Sequence, residues 1–243
     1  MKNHKYRLTM NSYFNKNACQ DADAREHSLF TKLPDFLNFA KHECLHYQQT
    51  LNNIDVDKID SRALLAKFHR IFQSPGPIYD PEHCTDDWWR LGQAFHAAGF
   101  KQGDIVQNCL SYHLTPGGFI LDSGARACGC VVIPAGPGQT EQQLAIIEDL
   151  KPNGYCGTPS FVKILLDKAT ADNRDVSSLQ KALVTGEALP TALRREFDAA
   201  GISTLQAYAS ADVGLIGYET IADDGFIISE DVIVEIVRPG SLL

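Results

Sequence analysis

Five short loops carry the residues with the most chemistry to offer. They are Tyr112–Gly118, Pro134–Gly138, Thr158–Ser160, Thr185–Glu187 and Ser210–Asp212. Each follows a short apolar run that reads as a strand, and the first four lead into helical patterns. In an open α/β sheet, loops at the carboxyl ends of parallel strands converge on the ligand crevice. Gly186 would let a ligand approach the backbone at a strand end. Glu187 could accept a hydrogen bond from an amino group or a ribose, or it could merely complement the next helix N-terminus. Tyr208 offers a flat face to a base, and Ser210 a donor to a phosphate oxygen. Asp212 is a hard oxygen ligand suited to Mg²⁺ held against phosphates. The plainer alternative for Tyr208–Asp212 is a turn of small residues used for packing. Tyr112 and His113 put two aromatics at a strand end, a wall for an acyl or aryl group. A lone histidine such as His113 more often takes a hydrogen-bonded place in the core.

A second pattern competes. His42-Glu43-Cys44-Leu45-His46 matches the H-E-x-x-H of zinc peptidases, in which two histidines one turn apart bind metal and the glutamate acts as base. On a helix the two histidines fall about 120–160° from the centre of the apolar stripe, which points them at solvent. No third ligand follows at a familiar spacing, the next glutamate being Glu82.

The elements that must position these loops follow from periodicity. Residues 1–33 read as irregular. Pro34–Leu51 reads as a helix with Phe36, Ala40, Cys44, Tyr47 and Leu51 on one stripe, and Ser61–Phe72 as a second helix. Ser74-Pro75-Gly76-Pro77 is a rigid break. Thr85 is expected to cap a helix whose first turn carries Asp86 and Asp87 and that Gly99 ends. Then come a strand at Asp104–Leu110, a helix at Gly117–Cys128 and a strand at Val131–Pro134. Thr140 with Gln143 reads as a capping box opening a helix to Leu150. Tyr155–Thr158, Ala182–Thr185 and Thr204–Ala209 read as strands, with helices at Pro159–Ala171 and Pro190–Ala200 between them. This alternation implies α/β architecture, a mostly parallel sheet with flanking helices. Gly214–Thr220 and Gly225–Val237 form a β-rich piece turned by Asp223-Asp224-Gly225, with Ile227, Val232, Val234 and Ile236 packed beside the sheet. The expected organisation is a helical segment over 1–72, an α/β core over 73–212 and a β-rich extension over 213–243. The closing Arg238–Leu243 is a turn sequence, from which the polypeptide is expected to continue in relatives.

Bulk properties narrow the function. The chain has 243 residues and a net charge of −8, from 22 basic and 30 acidic side chains. With no basic run, a nucleic-acid or anionic-membrane partner is disfavoured. No apolar stretch is long enough to span a membrane, and the polar first fifteen residues lack a signal-peptide core. The seven cysteines are an odd count with no Cys-x-x-Cys pair. Buried thiols in a reducing cytoplasm fit them better than a zinc site does, and Cys128 and Cys130 need not converge.

In this order the pieces resemble the phenylacetate–CoA ligase-like branch of the acyl-adenylate-forming (AMP-binding) enzymes. The resemblance runs over about residues 72 to 240. Gly99–Asn108 looks like that family's stretch before an aromatic loop. Pro134–Glu141 resembles its glycine loop, Lys151–Ser160 its next strand and turn, and Gly225–Asp231 the stretch after its magnesium loop.

The resemblance implies the large N-terminal domain of an AMP-forming acyl- or aryl-CoA ligase, incomplete at its end. Such an enzyme uses ATP, Mg²⁺ and CoA. A carboxylic acid attacks the ATP α-phosphate, and CoA then displaces AMP. By resemblance, Gly186, Glu187 and Ala188 line the adenine and Tyr208 stacks on it. Ser210 or its backbone approaches the α-phosphate, Ala209 beside it is counted among the nucleotide-binding residues, Asp212 holds Mg²⁺, and Ser74 and Gly76 belong to the phosphate loop. Tyr112, His113, Gly117 and Gly136 border the acyl pocket. The adenylation lysine, hinge, small C-terminal domain and ribose-binding carboxylate of the family have no counterpart here. Two prolines stand in the phosphate loop with no lysine after it, and Ala209, Ala211 and Asp212 replace the usual Gly, Ser or Thr, and Glu. The partners implied are a small carboxylic acid, including aryl acids, and CoA, with a homodimer as a further expectation. The alternatives are a non-catalytic nucleotide- or acyl-binding remnant and the zinc peptidase.

Overall fold

The computed structural model describes residues 22–43, 55, 68–74, 78–222, 225–230 and 232–234. The chain divides into two compact units, 1–67 and 68–243. Within the first, helix α1 runs over Ala22–Glu43. It begins twelve residues before the expected start and carries Pro34 in its interior, so a proline that would open a helix is here absorbed by one. His42 is exposed on it, while His46 lies outside the described residues.

The second unit opens with an antiparallel hairpin of β1 (Arg70–Ser74) and β2 (Ile78–Glu82). The helix expected over Ser61–Phe72 therefore fails at its described end. Phe72 is an inward strand residue, buried against Trp89 and Phe119 at ring-centroid distances of 5.9 and 5.2 Å. The domain boundary expected at 72/73 falls inside β1.

The helix expected from Thr85 is shorter and differently capped. Residues 86–89 form turns, and α2 covers only Gly92–Ala97. Asp87 Oδ2 accepts from the Gly92 amide at 2.8 Å, so the acidic residue meant for the first turn serves as the cap itself. The intervening backbone bends through left-handed angles at Asp87 (φ 48°) and Arg90 (φ 62°).

Beyond it the βα alternation is regular: β3 (Ile105–Asn108), α3 (Gly117–Ala127), β4 (Val131–Pro134), α4 (Thr140–Leu150), β5 (Gly154–Gly157), α5 (Pro159–Asp172), β6 (Lys181–Val184), α6 (Thr191–Ala199) and β7 (Ser203–Ser210). Strands β8 (Gly214–Tyr218) and β9 (Ile227–Ile228) follow. Among the described residues these make one seven-stranded sheet in the order β4-β3-β5-β6-β7-β8-β9. β4, β3, β5, β6 and β7 are mutually parallel, and β8 and β9 add antiparallel. The fold is α/β with flanking helices. The β-rich tail is the same sheet continued rather than a separate layer, and β9 is two residues long with both isoleucines exposed. Asp223 and Asp224 of the turn expected there lie outside the described residues.

Two apolar clusters cover the two faces. One gathers Phe95, Leu121 and Ala125 of α2 and α3 on Val106, Cys156 and Leu183. The other gathers Leu144, Val162, Leu165 and Phe197 of α4, α5 and α6 on Tyr155, Ala182 and Val184. Adjacent β3 and β5 send their helices to opposite faces, which makes the β3/β5 junction the topological switch point. At the opposite, amino end of the sheet, Asp104 pairs with Lys181 Nζ at 2.7 Å and accepts from Asn153 Nδ2 at 2.7 Å, bracing the starts of β3, β5 and β6.

The capping box expected at Thr140 does not form. Gln139 takes the N-cap position in a left-handed conformation (φ 51°), with no side-chain cap. Gln143 turns inward instead and is fully buried.

Candidate nucleotide and acyl site

At the end of β3, Asn108 is buried and spends its whole amide on neighbours. Nδ2 donates to Tyr112 Oη at 2.7 Å and to the Gly118 carbonyl at 2.8 Å, while Oδ1 accepts from the Leu110 amide. Tyr112 is thereby folded back over α3, edge-on to Phe119 at 5.1 Å and donating to Asp122 Oδ1 at 3.3 Å. Burial, reinforced by the Asp122 charge, pushes its phenol pKa up, so it stays a neutral donor. Gly118 is required here: a Cβ would stand 2.6 Å from the Ser111 carbonyl and 2.8 Å from the Tyr112 ring. Gly117 begins α3 with only ordinary contacts around it. His113 is exposed, not the core neighbour that its type suggests.

The glycine loop after β4 sits on the same strand end, since the Gly136 amide donates to the Asn108 carbonyl at 3.0 Å. Gly136 (φ 68°) and Gly138 (φ 76°) hold left-handed angles, and a Cβ on either would meet nothing within 4 Å. These glycines serve backbone conformation, and the space above them is open.

The loops after β5 and β6 are joined directly. Ser160 Oγ donates to Glu187 Oε1 at 3.0 Å, and Thr158 Oγ1 lies 3.1 Å from Ser160 Oγ. Thr158 caps α5 by accepting from the Phe161 amide, with Pro159 as the first helical residue. Glu187 thus sits at the α5 N-terminus, where a carboxylate is favoured, and not on the helix that follows it. Gly186 and Ala188 are exposed on either side. Below them Gln206 Oε1 accepts from the Leu189 amide at 2.6 Å. Its amide is oriented by Glu219, an acceptor-only carboxylate whose two oxygens also accept from the single Arg194 Nη2 at 2.7 and 2.8 Å.

Strand β7 ends in Tyr208, Ala209 and Ser210, with a register shift between Tyr208 and Ala209. Tyr208 is 60% exposed, a free ring face beside the β6 loop. Ser210 Oγ accepts from the Val213 amide at 3.1 Å, closing the turn that presents an exposed Asp212. Trp89 and Arg90 grip this turn from behind. Trp89 Nε1 donates to the Ala211 carbonyl at 3.1 Å, and Arg90 donates to the Val213 carbonyl at 2.5 Å. Gly214 (φ 75°) has to be glycine, because a Cβ would lie 2.7 Å from the Trp89 carbonyl oxygen.

The β1–β2 hairpin joins the rim through the Gln73 amide, which donates to the Leu114 carbonyl at 2.9 Å. Arg70 stacks over Phe119 at 4.6 Å. Ser74 ends β1, and Gly76 lies outside the described residues.

The fold brings Tyr112, His113, Gly117, Gly136, Gly186, Glu187, Ala188, Tyr208, Ala209, Ser210 and Asp212 to the carboxyl rim of one sheet. Sequence reading missed the residues that hold them: Asn108, Gln143, Gln206, Glu219, Trp89 and Arg90. One signal was available, because Gln107 and Asn108 interrupt an apolar strand, where buried amides must find partners. Among the described residues no group of three or more His, Cys, Asp or Glu could hold a metal ion. Cys128 and Cys130 donate to different carbonyls, of Gly92 and Lys101.

Comparison with known proteins agrees with this architecture. The model of the AMP-binding enzyme family matches residues 86–230, more than half of the chain. The phenylacetate-coenzyme A ligase of Aromatoleum evansii is 33% identical over 153 residues, 60% of this chain and 35% of that protein. The phenylacetate-coenzyme A ligase of Pseudomonas putida is 33% identical over 126 residues, 51% of this chain and 29% of that protein. The chain spans about a third of the length of these curated relatives. Among solved structures, 2-hydroxyisobutyryl-CoA ligase in complex with 2-HIB-AMP and CoA aligns with a TM-score of 0.62 at 15% identity, over 86% of this chain and 55% of that one. Anthranilate CoA ligase AuaEII in complex with anthranoyl-AMP aligns at 0.51 and 20% identity, over 63% of this chain and 31% of that one. At those identities the two structures speak for the fold alone. The matched segment runs from the Asp86–Arg90 turn that grips the Asp212 loop through every βα unit of the sheet, and the chain belongs to the AMP-binding enzyme family.

Proposed function

We propose that this chain is the nucleotide-facing part of an AMP-forming acid–CoA ligase, with the unit that begins at Phe68 holding its core and the strands after Asp212 as the sheet's extension. The convergence of the loops after β3, β4, β5, β6 and β7 on one rim at a switch point carries this reading. The names of the curated relatives support CoA ligation, and phenylacetate is the first acid to test. The zinc-peptidase and non-catalytic alternatives are not favoured by the family or by those relatives.

In the reaction, a carboxylate oxygen attacks the α-phosphorus of ATP and pyrophosphate leaves, giving an acyl-AMP. The CoA sulfur then attacks the acyl carbon, and AMP departs with the bonding pair. Orientation of the carboxylate against the phosphate and stabilisation of its oxygens dominate such chemistry. The Tyr208 ring would stack on adenine, with Gly186, Glu187 and Ala188 along its edge. Ser210 accepts from Val213, which leaves its own hydrogen for a phosphate oxygen, and the Ala209 backbone lies beside it. Asp212 would hold Mg²⁺ as a lone carboxylate, an arrangement that fits an ion taking its other ligands from phosphates and water. Ser74 and Gly76 would face the leaving pyrophosphate. Tyr112, His113, Gly117 and Gly136 would border the acid.

Calorimetric titration with AMP and with MgATP tests nucleotide binding. Exchange of labelled pyrophosphate into ATP, run with phenylacetate and a panel of aryl and fatty acids, tests adenylation. Absence of heat with either nucleotide overturns the reading.

A further inference from the structure

We infer that Gln143, which touches no reacting group in the proposed site, is a positioning residue that sets selectivity for the acyl half of the ligand. The inference rests on the ligase reading above. Gln143 lies in the first turn of α4, is buried, and uses every hydrogen-bonding position of its amide. Nε2 donates to the carbonyls of Gly136 and Gly138, both at 2.7 Å. Oε1 accepts from Gln107 Nε2 at 2.8 Å and from the Cys109 thiol at 3.1 Å.

The two sides of that amide do different work. Gln107 and Cys109 are buried residues at the end of β3, rigid parts of the sheet. Burial pushes the Cys109 thiol up to about 12, so it remains a donor at neutral pH. Two donors on Oε1 fix which way the amide faces, and Nε2 must then point at the glycine loop. There it holds two carbonyls flanking Pro137, between two glycines in left-handed conformations. Without it the loop keeps its tether to the end of β3 from the Gly136 amide to the Asn108 carbonyl. A Gly-Pro-Gly segment so released could take several conformations, because glycine populates both signs of φ.

The same Asn108 orients Tyr112 and Gly118 on the other side of the strand end. The glycine loop and the Tyr112 loop therefore share one anchor, and Gln143 sets the distance that Asn108 alone leaves adjustable. Adenine-side residues hang instead on Gln206 and Ser160. The two halves of the rim have separate supports, so loosening one should leave the other in place.

The test compares two ligands on the full chain by calorimetry: AMP, and phenylacetyl sulfamoyl-adenosine, an acyl-adenylate mimic with sulfamate in place of phosphate. Gln143→Leu keeps the volume and removes all four bonds. The expected result is an AMP Kd within twofold of wild type and a loss of about tenfold in the mimic's advantage over AMP, as removing well-oriented buried hydrogen bonds implies. Gln107→Leu is the second variant. It removes one donor to Gln143 Oε1, which keeps the Cys109 thiol, and it also removes an Oε1 buried without a partner, so it should fold about as well as wild type. It should move the same ratio in the same direction by a smaller factor. An unchanged ratio in both variants overturns the inference, as does an equal loss for both ligands. A wild-type chain that binds neither ligand overturns the ligase reading itself, a result distinct from these.

Discussion

Ser160 Oγ donates to Glu187 Oε1 at 3.0 Å, tying the loop after β5 to the loop after β6 across the rim of the sheet. The contact holds the proposed adenine edge at a fixed spacing before any ligand arrives. Ser160→Ala should weaken AMP binding roughly three- to tenfold, the worth of one hydrogen bond to a charged group. Because both residues are exposed, the melting temperature should stay within a degree or two. Calorimetry and a thermal melt on the same preparation check both halves of this expectation.

Tyr208 carries the proposed stacking role. Its ring is mostly exposed, so Tyr208→Ala costs little stability but should weaken AMP binding about tenfold or more, as loss of base–aromatic stacking does. Tyr208→Phe retains the ring and should bind within twofold of wild type. Equal losses in both variants would mean that the hydroxyl, not the ring face, meets the ligand.

Asp212 is the proposed magnesium ligand. Wild-type affinity for ATP should fall when EDTA replaces Mg²⁺, and Asp212→Asn should show the weaker affinity in both conditions. Titrations with and without metal measure the difference. The turn itself is held by Trp89, Arg90 and Ser210, so the fold of the variant should be intact by circular dichroism.

At the amino end of the sheet, Asp104 predicts a pH dependence. Its burial alone would raise the carboxyl pKa. Hydrogen bonds from Lys181, Asn153 and the Lys101 amide more than offset this and hold it below the ordinary 3.8. The unfolded carboxyl therefore takes up its proton first as pH falls. Stability from this group is complete above about pH 4 and is lost as pH drops through the folded value. Asp104→Asn should cost about 2–3 kcal/mol at pH 7, since it leaves Lys181 without its charge partner. The difference from wild type should shrink toward pH 3. Urea unfolding at several pH values checks the sign.

The buried thiols give a fifth test. Cys109 is held near 12 and Cys130 near 11, both by burial, and Cys156 is pushed up for the same reason. At pH 8 all three should resist alkylation in the native chain and react once it is unfolded, whereas exposed Cys84 should react at once. Peptide mapping by mass spectrometry separates the sites.

The apolar runs, the glycines and the spacing of turns were enough to read the βα alternation, the parallel sheet and the five rim loops from the sequence. Val131–Pro134 matches its strand residue for residue, an apolar β-branched run bounded by Gly129 and the Ala135-Gly136 turn. The readings that failed did so where a side chain had two uses. Gln143 fits a capping box locally, but the fold turned it inward, since two carbonyls and two donors awaited an amide. Asp87 fits a helix first turn, yet it became the cap of a helix five residues on. Phe72 has no local reason to be a strand residue; packing against Trp89 and Phe119 decides it. Composition and periodicity thus determined the alternating strands and helices from β3 to β7 and the order of the loops along their rim. Tertiary structure alone decided which buried amides and carboxylates hold the rim in shape, because hydrogen-bond partners such as Arg90 and Val213, 123 positions apart, leave no periodic trace in the chain.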